Sequence, residues 1–305
     1  MANSNKLKAL LQYPLPHHLI SRVVFHGTRI PHPFTTSLIR WFIGKFGVEL
    51  GEAAENNAGN FKTFNEFFTR ELAPGVRPLC GSDDDLVWPA DGRISRLGDI
   101  DSATIVQAKG HDYSVESLIA NSQWSERYSQ GSFATVYLSP RDYHRVHIPA
   151  SGTLKSMTHV PGRLFSVAPH TVDNVPNLFA RNERVVAHFE TAAGAMAVVW
   201  VGALNVGAIE TVWAGLVTPE KAATIPGAIW FGRRNKRSHL HATSLDYDQE
   251  HGDSSTHRYQ RGDEIGRFNM GSTVIVLTEQ RLNFISSTNA GDPVSMGQIM
   301  ANARP

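Results

Sequence analysis

The chain has 305 residues, with 41% hydrophobic and 19% charged side chains. That balance excludes a disordered chain and allows one large domain or a core with an appendage. A formal net charge of +1 excludes a strong overall pull on nucleic acid, and a single cysteine, Cys80, excludes an intramolecular disulfide framework.

The first 48 residues carry six basic side chains (Lys6, Lys8, Arg22, Arg29, Arg40 and Lys45) and no Asp or Glu. Leu10, Leu11, Leu15, Leu19, Val23, Phe25, Ile39, Trp41 and Phe42 are interleaved with them. Such a pattern suits a helix lying in a membrane interface, and it equally suits an amphipathic helix pair packed on its own domain. Met1 to Tyr13 lacks the apolar core and cleavage site of a secretory signal. Residues 1–72 read as helical pieces divided by Pro14, Pro16, Pro31 and Pro33, with a further helix expected from Thr63 to Leu72.

Beyond Pro74, short apolar runs alternate with Gly, Pro, Asp and Asn turns. The runs Gly92 to Leu97, Phe133 to Leu138, Gly152 to Met157, Val185 to Glu190, Ala197 to Ala203, Ile209 to Ala214 and Thr273 to Thr278 predict antiparallel strands. The most apolar run, Ala193 to Ile209, is broken by Gly202, Asn205 and Gly207 and is too short for a membrane span, so it reads as a pair of buried strands. Arg233 to Arg261 is polar and reads as a long exposed excursion. The fold class expected is α+β: a mostly antiparallel β-sandwich or barrel-like core over 73–305, behind a helical segment over 1–72.

Three segments can carry chemistry. In Phe268-Asn269-Met270-Gly271-Ser272-Thr273, the Ser272 hydroxyl could attack the Gly271 carbonyl if that bond is strained and a base is near. An amide would become an ester, elimination would leave dehydroalanine, and hydrolysis would leave a pyruvoyl ketone at residue 272. In Tyr143-His144-Arg145-Val146-His147, the two histidines face opposite sides if the segment is a strand, which argues against a shared metal and for proton-transfer roles. In Trp88-Pro89-Ala90-Asp91-Gly92, Asp91 is a turn residue that could also orient a histidine. Spacing alone does not bring Asp91, His147 and Ser272 together.

These segments, together with Pro176-Asn177-Leu178-Phe179-Ala180-Arg181-Asn182-Glu183-Arg184-Val185, stand in an order and at a spacing that resembles the bacterial phosphatidylserine decarboxylase family over nearly the whole chain. One departure is Met270, where the family usually has Leu before Gly-Ser-Thr. The resemblance implies a precursor that cleaves itself between Gly271 and Ser272, with Asp91, His147 and Ser272 as the self-cleavage triad and His144 in decarboxylation. It implies a pyruvoyl group made from Ser272, with neither pyridoxal phosphate nor metal. The serine amine of the lipid would condense with the ketone, CO2 would leave, and His144 would protonate the remaining carbon. Phe165 and Val167 fall in a family-like stretch and are candidate pocket residues, although core packing explains them as well. The products would be chains 1–271 and 272–305, held together and dimerised again. The expected location is peripheral, on the cytoplasmic face of a bacterial inner membrane.

The main rival is a Ser-His-Asp hydrolase acting in an uncleaved chain, but the Gly-x-Ser-x-Gly elbow is missing around Ser272. A lipid-binding sandwich without activity would leave the three segments unexplained. A pyruvoyl enzyme for a soluble amino acid would leave the basic, apolar N-terminus without a role.

Overall fold

In the computed structural model, which describes residues 2–108, 111–204, 208–219, 242–247 and 257–302, strand Ser272–Thr278 is buried along its whole length. Ile275 and Leu277 enter one core, Val274 and Val276 another, as the two-residue period of a strand requires. Burial of each such side chain stabilises by roughly 1.5–3 kcal/mol. The strand pairs antiparallel with Ser132–Leu138 on one side and Gly194–Val201 on the other.

It therefore lies inside a nine-stranded sheet. The order is Thr243–Asp246, Gly152–Val160, Arg184–Thr191, Gly194–Val201, Ser272–Thr278, Ser132–Leu138, Gly92–Asp99 and Pro293–Val294, with Arg258–Tyr259 also on Gly152–Val160. The sheet does not close on itself, so the core is a sandwich and not a barrel. One face is covered by a four-stranded sheet of Gly215–Leu216, Ile209–Thr211, Glu264–Phe268 and Arg145–His147. Its Ile209, Ile265, Phe268 and Val146 pack with Val274, Val276 and Trp200. The other face is covered by short helices that bring Val115, Leu118, Val172 and Leu178 against Ile275 and Leu277.

The N-terminal helices are α1 (Ala2–Leu10), α2 (His17–Gly27), α3 (Thr35–Phe46) and α4 (Phe64–Phe68). Pro14 and Pro16 separate α1 from α2, and Pro31 and Pro33 separate α2 from α3, since proline cannot continue a helix interior. Gly47, at φ 69°, supplies the left-handed cap of α3. Ile39 and Phe42 of α3 pack on Phe64, Phe67 and Phe68 of α4 in a third core, against which Met270 also packs.

Helix α4 is shorter than the sequence suggests. Thr63 caps its start by accepting the Glu66 N–H at 3.1 Å. Its end comes early because the chain turns to pair with residues 52–54: the Ala54 N–H donates to the Glu71 carbonyl at 2.9 Å, and the Ala73 N–H to Glu52 at 2.8 Å. Most of the excursion expected over 233–261 lies outside the described residues. Its described parts, Thr243–Asp246 and Arg258–Tyr259, are strands on the edge of the large sheet.

The block 176–185 has a structural part in Asn182, which is fully buried. Its Oδ1 accepts the Phe165 N–H at 3.0 Å, and its Nδ2 donates to the carbonyls of Phe165 and Gly202, each at 2.8 Å. Truncation would strand three buried backbone groups, each costing about 1–3 kcal/mol. Asn182→Ala is expected to lower unfolding stability by at least about 3 kcal/mol, read as a lower denaturant midpoint at unchanged slope. A midpoint equal to the parent's would show that the block is not held this way.

Candidate active site

Ser272 is the first residue of its strand, opposite Leu138, and Gly271 is the last residue of the turn leading into it. Ser272 is fully buried, and among the described residues its Oγ has no hydrogen-bond partner; the same holds for Thr273 Oγ1. Buried hydroxyls nearly always find partners, so an unfilled one at this junction calls for an account, and chemistry at the adjoining peptide is one.

His144 supplies the adjacent base. It lies just ahead of strand Arg145–His147 and is buried, with the Phe68 ring tilted against it at 4.2 Å between ring centres. Its Nδ1–H donates to the Asp142 carbonyl at 2.8 Å, which fixes the tautomer and leaves Nε2 with a free lone pair. Nε2 lies 3.3 Å from the point where a β-carbon on Gly271 would stand. Any side chain at 271 would crowd the imidazole, which accounts for glycine there. Burial pushes the His144 pKa down to about 3, and the positive charge of Arg70 adds to the effect. At neutral pH this ring is an uncharged base.

His147 faces the other way, as a residue three positions along a strand must. It lines a polar cavity of about 300 Å³ with Tyr143, Arg77 and Met296. Its Nδ1–H donates to the Gly262 carbonyl at 2.8 Å, and its Nε2 accepts from the Tyr143 hydroxyl at 3.1 Å. Burial lowers its pKa as well. Asp91 does not hold His147 as a triad aspartate would. Its carboxylate accepts Arg77 Nη2 at 2.7 Å, Arg77 Nε at 3.1 Å and the Met296 N–H at 2.8 Å. It reaches His147 only through space, as one of the charges that oppose the lowering. Among the described residues no hydrogen bond connects Asp91, His147 and Ser272 into the relay expected from the sequence: Asp91 is held by Arg77, and His147 by the Gly262 carbonyl and the Tyr143 hydroxyl.

Phe165 and Val167 are buried in the core that also holds Ile275 and Leu277, with Phe165 against Tyr13 and His17. Sequence reasoning missed Phe68, Arg70, Arg77 and Tyr143. An arginine just past a short aromatic helix looks like an ordinary C-terminal cation, and nothing local marks it as facing a site in the β-rich part. Among the described residues no cluster of three His, Cys, Asp or Glu side chains could hold a metal ion.

The fold and this junction define a class: an α+β protein with a serine enclosed within a sheet, behind a glycine, and a neutral imidazole at that peptide. A hydrolase working on external esters needs its nucleophile open to solvent, and Ser272 is not. The model of the family described as phosphatidylserine decarboxylase matches residues 64–302, and a second, described as PSD, matches residues 7–47. Curated relatives named phosphatidylserine decarboxylase proenzyme include that of Alkalilimnicola ehrlichii, 50% identical over 90% of this chain and 89% of its own. The proenzyme of Methylococcus capsulatus is 47% identical over 98% and 97% of the two chains, and that of Vibrio cholerae 44% over 98% and 99%. The chain belongs to the phosphatidylserine decarboxylase family.

His144 and His188 share one pH consequence. His188 is also buried, stacked on Trp124 at 4.4 Å, and its pKa is likewise pushed down to about 3 by burial. The unfolded chain takes up protons near the ordinary value of 6.5, the folded rings only near 3. Between those values the unfolded state holds more protons, so stability falls as pH falls, by up to about 1.4 kcal/mol per pH unit for each ring. Denaturant midpoints of the full-length Ser272→Ala chain should drop from pH 7 to pH 5, and replacing either histidine by glutamine should shallow the slope. A flat profile would show that the rings are not buried uncharged.

Proposed function

We propose that this chain is the precursor of a pyruvoyl-dependent carboxy-lyase that cuts itself between Gly271 and Ser272 and converts phosphatidylserine to phosphatidylethanolamine and CO2. The observation that carries the reading is the pairing of the orphaned Ser272 hydroxyl with the open Nε2 of His144 at the same peptide. In the self-cleavage, Ser272 Oγ adds to the Gly271 carbonyl carbon as its proton passes to an imidazole. The C–N bond breaks, and the acyl group sits on oxygen as an ester. Loss of the Ser272 α-proton with departure of the Gly271 carboxylate leaves dehydroalanine, and water replaces its nitrogen, released as ammonia. The residues present fit the group so formed, because the buried atom without a partner is the one the conversion consumes. A ketone there supplies an electron sink for decarboxylation without pyridoxal phosphate or metal.

The protein's own groups do the rest. His144, its tautomer fixed by Asp142, gives or takes a proton beside residue 272. The apolar enclosure excludes water from a carboxylate that is losing its charge. Ser272–Thr278 is hydrogen-bonded on both sides, so the fragments 1–271 and 272–305 remain one folded unit after the cut. That supports division into a helical part, 1–72, and a catalytic part, 73–305.

For the cleavage base, the family resemblance assigns His147, with Asp91 as its support. This requires His147 Nε2 to give up the Tyr143 hydroxyl. The geometry favours a second reading, with His144 as the base, because its Nε2 already lies against Gly271. Denaturing intact-mass spectra separate the two. Ser272→Ala should remain one inactive 305-residue chain under either. On the first reading, His147→Ala stays full-length, while His144→Ala cleaves but decarboxylates at least ~100-fold more slowly. A full-length His144→Ala with a cleaved His147→Ala supports the second. A cleaved and fully active Ser272→Ala would remove the mechanism.

The substrate places the enzyme at a bilayer. Among the described residues, large apolar side chains exposed by more than a third cluster in α1, α2, α3 and their links; Leu19 is 62% exposed, Phe34 70% and Trp41 54%. Arg29 and Lys45 lie over Phe25 and Trp41, at 3.7 and 4.9 Å from the ring centres. No helix among the described residues is long and apolar enough to cross a membrane, and these features support peripheral contact with an anionic bilayer, on the cytoplasmic face by resemblance, as a homodimer of the cleaved unit. The double substitution Leu19→Glu, Trp41→Glu should abolish sedimentation with phosphatidylglycerol vesicles while leaving self-cleavage intact. Undiminished sedimentation would assign membrane contact elsewhere.

A further inference from the structure

Among the described residues two buried arginines have no carboxylate partner, and they differ in one respect. Arg184, 3% exposed, donates to the carbonyls of Ser117, Leu118, Ala180 and Asn182, so its guanidinium is filled by backbone. Among the described residues Arg70, 5% exposed, donates only from Nη2, to the Arg141 carbonyl at 3.0 Å, and its Nε and Nη1 are buried with no partner. Arginine stays charged in proteins, and burying its N–H groups unfilled is destabilising, as for any uncompensated ion. The carboxylates that act on Arg70 through space are engaged elsewhere: Asp91 and Glu52 by Arg77, and Asp142 by the Ser139 N–H and hydroxyl.

The place of this side chain gives the vacancy a use. Arg70 follows α4, whose Phe68 lies tilted against His144, and its charge is felt by His144. It lines a cavity of about 440 Å³ whose wall includes Asn269, two residues before the Gly271–Ser272 junction. Asn65 of α4 donates to Asn269 at 3.2 Å, tying the helix to that turn. Two other arginines of the wall are neutralised: Arg145 by Glu264 at 2.7 Å and Glu71 at 3.0 Å, and Arg267 by Glu210. Arg29, also in the wall, has no carboxylate within salt-bridge distance among the described residues and sits next to Ile30, which is 59% exposed.

We propose that Arg70, with Arg29 nearer the entrance, is the anion-binding element of this cavity and holds the phosphodiester of the lipid headgroup while residue 272 engages its serine end. This rests on the decarboxylase reading above. Phosphate is the better occupant than the substrate carboxylate on physical grounds. A carboxylate about to leave as CO2 loses its charge on the way to the transition state, so an arginine clamped on it would stabilise the ground state and slow the reaction. The phosphodiester keeps its charge throughout, and only a methylene and an ester oxygen separate it from the reacting carbon. With Nη2 taken by the Arg141 carbonyl, Nε and Nη1 each offer a charge-assisted donor on opposite sides of the guanidinium, and phosphodiester oxygens are acceptors suited to such a donor.

The test uses the self-cleaved enzyme with short-chain phosphatidylserine in mixed micelles, and short-chain phosphatidylglycerol as an inhibitor that has the phosphodiester but no amine or carboxylate. Arg70→Met should still give chains 1–271 and 272–305 and should melt no lower than the parent, because the charge it removes is unpaired. Its KM should rise ~10–100-fold, the loss of one charge-assisted contact, with kcat changed far less. Phosphatidylglycerol inhibition should weaken by the same factor, and Arg70→Lys should restore part of both. An unchanged KM in a cleaved Arg70→Met protein overturns the proposal. So does a raised KM with undiminished phosphatidylglycerol inhibition, which would assign Arg70 to the carboxylate. If neither variant folds or cleaves, the parent enzyme decides: inorganic phosphate should compete with phosphatidylserine beyond chloride at equal ionic strength, and equal effects of the two salts overturn the proposal. A parent enzyme that releases no CO2 from phosphatidylserine would instead sink the decarboxylase reading.

Discussion

The ladder that holds Ser272–Thr278 between two neighbouring strands is the constraint on which the rest depends. It fixes the position of residue 272 to within the tolerance of a sheet. It also removes the serine hydroxyl from water and decides what happens when the chain is cut. From Thr273 onward the ladder lies after the junction, so a break before Ser272 leaves that pairing in place. The new end stays where the old peptide was, and its neighbours remain as they were. A cut inside the strand would instead release buried N–H and C=O groups, each of which needs a partner.

Enclosure has a second effect. His144 and Arg70 are both deprived of water, and the consequences have opposite sign. For the histidine, desolvation selects the neutral ring, so a base is available beside the scissile peptide over the physiological range. Arg70 has no neutral form to retreat to, so the cost remains in the fold until something fills its donors. Arg184 shows how the same residue looks when the protein has settled the matter with its own carbonyls. The contrast matters more than burial alone, because burial is common to both.

What the sequence revealed follows the range of the interactions. Alternation along Thr273 to Thr278 and the glycine and proline punctuation are local, and the strands and helix breaks appear where those signals put them. The opposed faces of His144 and His147 also follow from a local rule. Side-chain partners do not. Nothing in Trp88 to Ile94 tells that Asp91 meets Arg77, and nothing in Thr63 to Leu72 tells that Phe68 reaches His144 across more than seventy residues of chain. The end of α4 was misread for the same reason, since pairing of residues 71–73 with 52–54 overrides the helical preference of Glu71 and Leu72. The triad was the most consequential case. Residue types suited to a relay were legible, whereas the occupation of Asp91 by Arg77 and of His147 by Gly262 was not.

These features meet at the boundary between the helical and β-rich parts. Helix α4 belongs to the core of α3, yet it sets Phe68 against His144 and ends just before Arg70. Met270, one residue before the junction, packs against that same helical core. A helix layer built from Phe42, Phe64, Phe67 and Phe68 therefore presses on the cleavage turn from one side while the sheet fixes it from the other. If α1 to α3 rest on lipid, the cavity beside α4 opens among the elements that touch the bilayer, and a headgroup entering there meets Arg29 and Arg70 before it meets residue 272. The helical segment is then not an anchor appended to an enzyme, because the wall of the site is made from it.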